Sequence, residues 1–342
     1  MSKPDVAPYP MLMRPLLVPK VWGGRELLNR LHPERAGEFG PSDLIGESWE
    51  LADHADGVST IANGRLAGQA FGEVLRAYPK MMAGREEVAG RFPLLIKFID
   101  AREDLSVQVH PNDAQAAVMT RGDRGKTECW FVMHAEPGTE VQHGLRPGVG
   151  PAEMRAAIEG KRLRDVLRFY PVEPGMFLEM PAGVVHALLG GTLICEVQQN
   201  SNTTYRLYDY DRQPPRGLHI EESLAVIDYA PRLPERPLHV PRGVAHGARL
   251  TLLTRCAFFQ VVALQLAPGL SFELGKRPGE ALAMMVVGGD GRLWHSESGG
   301  APTTEAPIST GQTWYLPAAL AGLHLHAGEG SLTVLLAQSF EL

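Results

Sequence analysis

The apolar residues of this chain occur in short runs separated by glycine and proline, and this spacing restricts the fold more than any other feature. Glycine (37 residues) and proline (27 residues) punctuate runs of the length expected for strands. The predicted strands cover residues 94–99, 106–110, 128–133, 176–180, 193–198, 204–210, 258–266, 271–274, 283–287, 313–316 and 331–337. Apolar residues at helical spacing predict helices at 71–77, 151–158 and 221–227. Many strands with few connecting helices indicate a mainly β fold, a β-sandwich or jelly roll.

The pattern changes between residues 228 and 249, where prolines and basic residues replace the apolar periodicity. This stretch is predicted to be a linker, and it divides the chain into a larger domain, residues 1–235, and a smaller C-terminal β domain, residues 236–342. A weak internal repeat supports the division, since GMFLEMPA at 175–182 and GQTWYLPA at 311–318 both begin with Gly and end with Pro-Ala.

Net charge and cysteine content argue against several classes of protein. The formal net charge is −6 and the pI is about 6.1, which does not favour binding to nucleic acid or to an anionic membrane surface. Cys129, Cys195 and Cys256 lack CxxC spacing and are typical of buried thiols in a reducing compartment. The most apolar run, 256–270, is interrupted by glutamines and is too short to span a bilayer, and the N-terminus has no signal pattern. We therefore expect a soluble cytoplasmic protein, either a monomer or a weak homodimer.

The segment LSVQVHPNDAQAAVMTRGDRGKTE, residues 105–128, places candidate metal ligands on a strand. Gln108 and His110 are two residues apart, so their side chains project from the same strand face. Glu128 begins the next apolar run, and His186 follows a Pro-Ala-Gly turn. Two imidazoles, a carboxylate and an amide oxygen suit a borderline divalent metal such as zinc. The alternative is that these are structural histidines, the commoner role of a single histidine on a strand.

Charged side chains also interrupt apolar runs elsewhere. Lys97 in PLLIKFID is predicted to share a strand face with Leu95 and Ile99, and a buried lysine needs a carboxylate or an anion beside it. The alternative is an edge lysine whose ammonium reaches solvent. Glu196 in LICEVQQ is a carboxylate inside an apolar run, which indicates a tight partner or a chemical role. Lys126 is predicted to share the strand face of Glu128.

Arg206 follows the polar turn NSNTT, and its planar donor fork is suited to a phosphate or an oxyanion. The alternative is a salt bridge to Asp209 or Asp211, which lie close to it in the sequence.

The remaining unusual positions are Trp22, Glu50, His54 and the pair His324 and His326. No carboxylate motif precedes the pair at matching spacing, so a structural role is favoured for it. The chain contains no Walker loop, no GxGxxG after a strand and no GxSxG, which argues against nucleotide binding and serine hydrolysis.

Several blocks together resemble the type I mannose-6-phosphate isomerases (phosphomannose isomerases) in their shorter bacterial form. They follow the family order between residues 22 and 229: VWGG, IGESWEL, PLLIKFIDAREDLSVQVHPND, GKTECWFV, MPAGVVHAL and EVQQNSNTTYRLYDYDR. The HPND and NSNTTYR blocks are the most specific, and the C-terminal third matches only in its β pattern.

The resemblance implies a cupin-type double-stranded β-helix that holds one zinc ion per chain. The implied zinc ligands are Gln108, His110, Glu128 and His186. The further site residues implied by the resemblance are Lys97, Lys126, Glu196, Arg206 and His54, of which His54 lies near a family histidine implicated in ring opening.

The implied reaction interconverts mannose 6-phosphate and fructose 6-phosphate through an enediol, after ring opening and proton transfer between carbons two and one. The metal, Lys97 and Arg206 would stabilise the developing negative charge. Glu196 is the favoured general base, a metal-bound water being the alternative. Arg206 and Lys126 are both candidates for binding the phosphate.

Two other functions fit parts of the pattern. Two histidines and a carboxylate also suit an iron-dependent cupin oxygenase. A sugar-phosphate-binding bicupin without catalytic activity is the second alternative, and the set of Lys97, Glu196 and Arg206 argues against it.

Overall fold

The computed structural model describes residues 6–120, 122–230, 238–241, 243–277, 279–296 and 302–342. The strands are β1 (Met11–Arg14), β2 (Leu16–Gly24), β3 (Ile45–Leu51), β4 (Asp53–His54), β5 (Gly57–Val58), β6 (Thr60–Ile61), β7 (Leu94–Ala101), β8 (Val107–Val109), β9 (Glu128–Ala135), β10 (Glu140–Leu145), β11 (Leu167–Pro171), β12 (Met176–Met180), β13 (His186–Leu188), β14 (Thr192–Gln199), β15 (Tyr205–Tyr208), β16 (Leu238–His239), β17 (Ala248–Arg255), β18 (Phe259–Leu266), β19 (Ser271–Leu274), β20 (Leu282–Gly288), β21 (Asp290–Ser296), β22 (Pro302–Ser309), β23 (Thr313–Leu316), β24 (Leu323–Ala327) and β25 (Leu332–Ser339).

Helices are short and lie in the connections between strands. The α-helices are α1 (Phe71–Ala77), α2 (Pro79–Ala83), α3 (Asp113–Met119), α4 (Pro151–Glu159) and α5 (Ile220–Val226). Single turns of other helix types occur at Leu27–Leu31, Pro33–Glu38, Gly64–Leu66 and Leu163–Asp165. No helix in the described residues is both long enough and apolar enough to cross a membrane.

Four antiparallel sheets are stacked as layers, and β4 and β5 form a separate two-stranded sheet. Sheet I has the strand order β11-β10-β13-β8-β15, and sheet II has the order β16-β12-β9-β14-β7-β2-β3. Sheet III has the order β17-β18-β25-β20-β23-β1-β6, and sheet IV the order β19-β24-β21-β22. Separate groups of buried apolar side chains fill the spaces between sheets I and II, between II and III, and between III and IV. Helices α4 and α5 cover the outer face of sheet I.

Strand β7 shows how alternation assigns residues to these layers. In LLIKFIDA, Leu94, Ile96 and Phe98 belong to the core between sheets II and III. The intervening residues therefore point the other way, toward sheet I. Lys97 is one of them, and it is only 3% exposed. An ammonium is thus placed in the space between sheets I and II.

The glycines of the VWGG block let strands β2, β3 and β7 approach closely. A Cβ atom on Gly23 would lie 2.4 Å from the backbone nitrogen of Gly46, which real Cβ atoms do not tolerate. A Cβ atom on Gly24 would lie 2.5 Å from a carboxylate oxygen of Asp100. This block therefore has a packing function, and Trp22 beside it lies in the core between sheets I and II.

The mainly β class is confirmed, with helices confined to connections. Each predicted strand and each of the three predicted helices is present with ends shifted by at most two residues. Two facing sheets are the arrangement expected of a double-stranded β-helix. The predicted boundary between residues 235 and 236 and part of the predicted linker lie outside the described residues. The division into two domains stays a prediction, and strands β1 and β6 of the N-terminal part belong to sheet III.

Candidate metal centre and active site

The register of sheet I aligns candidate site residues side by side on neighbouring strands. Gln108 on β8 pairs with His186 on β13 and with Arg206 on β15. His186 pairs in turn with His143 on β10. Directly paired residues of antiparallel strands point to the same face, so these side chains share the face that sheet I presents to sheet II.

Sheet II supplies the acidic and basic residues from the opposite side. Glu128 on β9 pairs with Gln198 on β14, and two residues further on Trp130 pairs with Glu196. Glu196 pairs with Lys97 on β7. These side chains therefore lie on the face of sheet II that looks toward the histidines of sheet I.

Three of the four predicted metal ligands converge. Single nitrogen or oxygen atoms of His110, Glu128 and His186 all lie within 4.8 Å of one another, and all three residues are buried. The Nε2 atom of His186 lies 3.2 Å from Glu128 Oε1, and the Nε2 atom of His110 lies 3.6 Å from Glu128 Oε2. Ligands of one tetrahedral zinc ion are separated by about 3.4 Å, given bond lengths near 2.1 Å.

Backbone carbonyls orient both imidazoles. His110 Nδ1 lies 2.9 Å from the carbonyl oxygen of Thr203, and His186 Nδ1 lies 2.9 Å from that of Val184. A carbonyl oxygen only accepts, so each Nδ1 carries a proton, and Nε2 is the nitrogen that has a lone pair in the neutral ring. This arrangement is the one found for histidines that bind metals.

The charge state of the cluster also fits a cation. Burial lowers the pKa of His110 well below its usual value, and the nearby Lys126 ammonium lowers it further. Burial opposes ionisation of Glu128, but Lys126 and the two imidazoles outweigh it and hold the pKa of this carboxyl well below its usual value. His110 Nε2 and Glu128 Oε1 are buried without a hydrogen-bond partner in the described part of the protein, and Glu128 Oε2 lies 2.9 Å from Lys126 Nζ. Buried polar atoms without partners are costly, so these residues fit a borderline divalent metal such as zinc.

Gln108 lies beside this trio. Its amide Nε2 is 3.3 Å from His186 Nε2, and its Oε1 accepts a hydrogen bond from Ser106 at 3.3 Å. Amide nitrogen and oxygen are assigned from the hydrogen-bond network, and rotating the amide by half a turn would direct Oε1 at His186. Gln108 is thus placed at the cluster, and its role as fourth ligand stays a prediction.

Lys126 contacts the cluster directly. Its Nζ lies 2.9 Å from Glu128 Oε2, and the residue is 5% exposed. Burial lowers the pKa of this lysine, but Glu128 and Glu196 more than compensate and raise it. Lys126 is therefore held as a buried cation that offsets the charge of Glu128.

Lys97 and Glu196 form the second buried charge cluster. Lys97 Nζ lies 3.6 Å from Glu196 Oε1 and 3.6 Å from Glu47 Oε2. The indole of Trp130 donates to Glu196 Oε2 at 2.9 Å, and the indole of Trp49 donates to Glu47 Oε2 at 2.7 Å. The interpretation of Lys97 as a solvent-reaching edge lysine is therefore not supported.

Glu47 and Trp49 were not among the residues predicted from the sequence. Both lie in IGESWEL, where alternation places them on one strand face, whereas the residue predicted from this block was Glu50. Glu50 faces the other side and pairs with His32 at 2.9 Å in the core between sheets II and III. The alternation was available as a signal, but it did not show which face is polar.

Arg206 makes no ion pair with the described acidic residues. The neighbouring carboxylates are engaged elsewhere, since Asp209 pairs with Arg216 and Asp211 pairs with Lys161 at 3.1 Å. The Nε atom of Arg206 is buried without a partner in the described structure. Burial lowers the pKa of Arg206, and the Arg216 guanidinium lowers it further. The guanidinium is half-buried, has no counter-ion among the described residues and belongs to a residue that pairs with Gln108. It is therefore suited to binding an anion.

His54 lies at the edge of this region. Its Nδ1 accepts from the Asp56 backbone amide at 3.1 Å, and its Nε2 lies 3.5 Å from Asp123 Oδ1. Its ring meets the edge of Trp49 with centroids 6.0 Å apart. The predicted part of His54 in catalysis stays a prediction.

His324 and His326 have contacts that suit structural roles. The ring of His324 stacks on Trp294 with centroids 5.3 Å apart, and His326 Nδ1 lies 3.0 Å from Ser271 Oγ. Neither belongs to the metal-ligating group found in the described residues.

Comparisons with known proteins agree with this geometry. A family model, phosphomannose isomerase type I, catalytic domain, matches residues 12–129. The mannose-6-phosphate isomerase ManA of Bacillus subtilis (strain 168) is 36% identical over 295 residues, which cover 84% of this chain and 88% of the relative.

Two solved structures extend the similarity to the whole fold. The crystal structure of the mannose 6-phosphate isomerase from Bacillus subtilis has a TM-score of 0.78 and 28% sequence identity, covering 96% of this chain and 99% of that one. A mannose 6-phosphate isomerase bound with zinc and yttrium has a TM-score of 0.70 and 16% identity, covering 95% and 98%. The second likeness concerns the fold alone.

Proposed function

This chain belongs to the type I mannose-6-phosphate isomerases, and on that premise we propose that it interconverts mannose 6-phosphate and fructose 6-phosphate at the site around His110, Glu128 and His186. The observation that carries the proposal is the convergence of buried ligand atoms of His110, Glu128 and His186, of which His110 Nε2 and Glu128 Oε1 lack a hydrogen-bond partner in the described structure. Family membership favours this activity over an iron-dependent oxygenase and over a non-catalytic bicupin.

Zinc is the proposed cofactor, with His110, Glu128 and His186 as ligands and Gln108 as the fourth. When bound, the ion supplies Lewis-acid stabilisation for oxygen atoms that gain negative charge during the reaction. The neutral imidazoles and the single carboxylate provide the nitrogen and oxygen donors that zinc accepts.

Glu196 is the proposed general base for the proton that moves between carbons two and one. Trp130 fixes one carboxylate oxygen, and the other, Oε1, has no hydrogen-bond partner in the described structure. Burial raises the pKa of Glu196, and the nearby Glu128 raises it further, although Lys126 and Lys97 oppose this. A carboxylate with a raised pKa accepts a proton more readily, so Oε1 is suited to take the proton and return it.

Arg206 is the proposed phosphate ligand. Lys126 was the competing candidate, but its ammonium is buried against Glu128, whereas the half-buried Arg206 guanidinium has no acidic partner in the described structure. A guanidinium binds phosphate through two parallel hydrogen bonds, which fixes the substrate as well as attracting it. Lys97 and Lys126 then remain near the reacting carbons, where positive charge favours an enediolate.

A coupled assay for fructose 6-phosphate tests the proposal directly. The zinc-loaded protein is expected to convert mannose 6-phosphate, and His110→Ala is expected to lose zinc and activity together while the far-ultraviolet circular dichroism of the β fold is retained. Metal content by mass spectrometry is measured on the same samples. A His110→Ala protein that keeps full activity after chelation and dialysis would contradict the assigned site.

The protein is proposed to be a monomer or a weak homodimer. Its proposed compartment is the cytoplasm. The negative net charge supports a partner set without nucleic acid, and the three cysteines are free thiols, as expected in a reducing compartment. Light scattering after size exclusion tests the first statement.

A further inference from the structure

We propose that Asp123 is a positioning residue that holds the Thr203 carbonyl in place and thereby orients His110 for metal binding. The inference rests on the proposed zinc site, and it assigns a role to a carboxylate in the loop before β9. Asp123 is neither a candidate ligand nor one of the charged residues that interrupt an apolar strand.

The Thr203 carbonyl needs an external support. Its oxygen accepts the hydrogen bond from His110 Nδ1 and so fixes which ring nitrogen faces Glu128. Thr203 lies between β14 and β15 and belongs to no strand or helix. A carbonyl in such a segment is not held by a ladder of backbone hydrogen bonds, so its position depends on local side-chain contacts.

Asp123 provides two of those contacts. Its Oδ2 accepts from Thr203 Oγ1 at 2.7 Å and from the Asn202 backbone amide at 2.9 Å. Its Oδ1 accepts from the Arg124 backbone amide at 3.0 Å, and His54 Nε2 lies 3.5 Å from the same oxygen. One carboxylate thus joins the segment at 202–203, the loop before β9 and the end of β4.

Both ring nitrogens of His54 have partners in this network. Since Nδ1 accepts from the Asp56 amide, Nε2 carries the hydrogen and donates toward Asp123. Burial alone would raise the pKa of Asp123, but hydrogen bonds from His54, Thr203 and the two backbone amides outweigh it and hold the pKa well below its usual value. The carboxylate therefore stays charged and keeps its acceptor capacity.

The joined segments lead into the site. Residues 124–127 connect Asp123 to Glu128, and Thr204 and Tyr205 connect Thr203 to Arg206. Ser201 Oγ adds a second link by donating to the Arg124 carbonyl at 2.9 Å. Partners that orient a metal-binding histidine typically contribute a factor of about 10–100 to metal affinity, and here the orienting carbonyl itself is positioned by Asp123.

Zinc affinity tests the proposal, measured by competition with a chromophoric chelator. Asp123→Asn keeps the shape but replaces one acceptor oxygen by a donor, and it is expected to weaken zinc binding by about tenfold or more. Asp56→Asn is the matched control, since Asp56 is exposed, also lies near His54 and accepts a hydrogen bond from the Asn202 side chain. The control is expected to stay within about threefold of the parent.

Thr203→Val provides an independent variant if Asp123→Asn does not fold. It removes the Oγ1 donor but keeps the backbone carbonyl, and it is expected to weaken zinc binding by about threefold or more. Thermal stability of the metal-free proteins is measured in parallel, because a purely structural role would lower it without changing zinc affinity.

The outcomes separate this inference from the proposed function. If the parent binds no zinc, the proposed function fails. The alternative result is that the parent and the foldable variants at positions 123 and 203 all bind zinc, with affinities within about threefold of each other. That result overturns only the positioning role of Asp123. Weaker zinc binding in those variants with an unchanged Asp56→Asn protein supports it.

Discussion

Replacing Lys97 by methionine is expected to destabilise the protein strongly, because one ammonium serves two buried carboxylates. Lys97 Nζ lies 3.6 Å from both Glu196 Oε1 and Glu47 Oε2, and all three residues are under 10% exposed. Methionine keeps an unbranched apolar stem but loses the ammonium that lies 5.1 Å from the Trp49 ring centroid. The substitution therefore removes mainly the charge.

The magnitude follows from these distances. At an effective dielectric constant of about 20, each contact corresponds to about 5 kcal/mol of Coulomb attraction. Removing one member of a buried ion pair lowers the free energy of unfolding by about 3–5 kcal/mol, since the remaining carboxyls relieve part of the loss by binding protons. We expect a loss in that range near pH 8.

The same reasoning fixes the pH dependence. Burial raises the pKa of Glu47, but Lys97, Lys20 and the Trp49 indole outweigh it and lower the pKa to about 2, so its stabilising contribution is present above about 4.5 and is lost as the pH falls toward 2. Without Lys97, the pKa of Glu47 rises and that of Glu196, already raised, rises further, so the folded variant binds protons at a higher pH than the folded parent. The difference between parent and variant should therefore be smaller at about pH 5 than at about pH 8.

Urea unfolding of the zinc-loaded proteins, followed by tryptophan fluorescence at both pH values, measures this difference. Lys20→Met is the control, because Lys20 is partly exposed and contacts Glu47 Oε1 at 3.1 Å, so its loss should cost no more than about 1 kcal/mol. Equal unfolding midpoints for Lys97→Met and the parent would refute the reasoning. So would a loss that does not change between the two pH values.

Two further predictions concern the anion site and a buried carboxyl. Arg206→Ala should retain zinc but lower kcat/KM at least about 30-fold, which corresponds to about 2 kcal/mol. Arg206→Lys should recover part of this activity. Loss of the metal in Arg206→Ala would indicate a structural role instead. Burial raises the pKa of Asp100 to about 6, despite the hydrogen bond from the Glu26 amide at 2.7 Å. Its contribution to the free energy of unfolding is therefore present below about pH 3.8 and is lost as the pH rises through 6. Asp100→Asn should therefore lose less stability than the parent between about pH 4 and pH 8 in thermal unfolding, and parallel pH profiles would contradict this.

Local alternation predicted the parts of the site that lie on long strands. Lys97 was placed on the correct face because β7 is regular, so a period of two assigns every side chain. The pairing of Glu196 with Lys97 was not predictable, since register between distant strands depends on the whole sheet.

The structural features that were not predicted from the sequence were missed for different physical reasons. Helix α3 begins with a capping box between Asn112 and Gln115, a local signal that was present in the sequence but was not used. Strand β1 could not be recognised as part of sheet III, because its partner Tyr315 lies about 300 residues away. Asp123 lies in a loop without periodicity, and its importance follows only from the donors gathered around it.

The position of β1 in sheet III also constrains how the protein is made. Met11 pairs with Tyr315, a partner that is translated about 300 residues later. At about 5–20 residues per second, some 15–60 s of translation separate the two. During that interval the edge of β1 that pairs with β23 has no partner, although β6, which pairs with Met13 and Arg14, follows within about 50 residues, so one strand edge stays open to pairing with another chain.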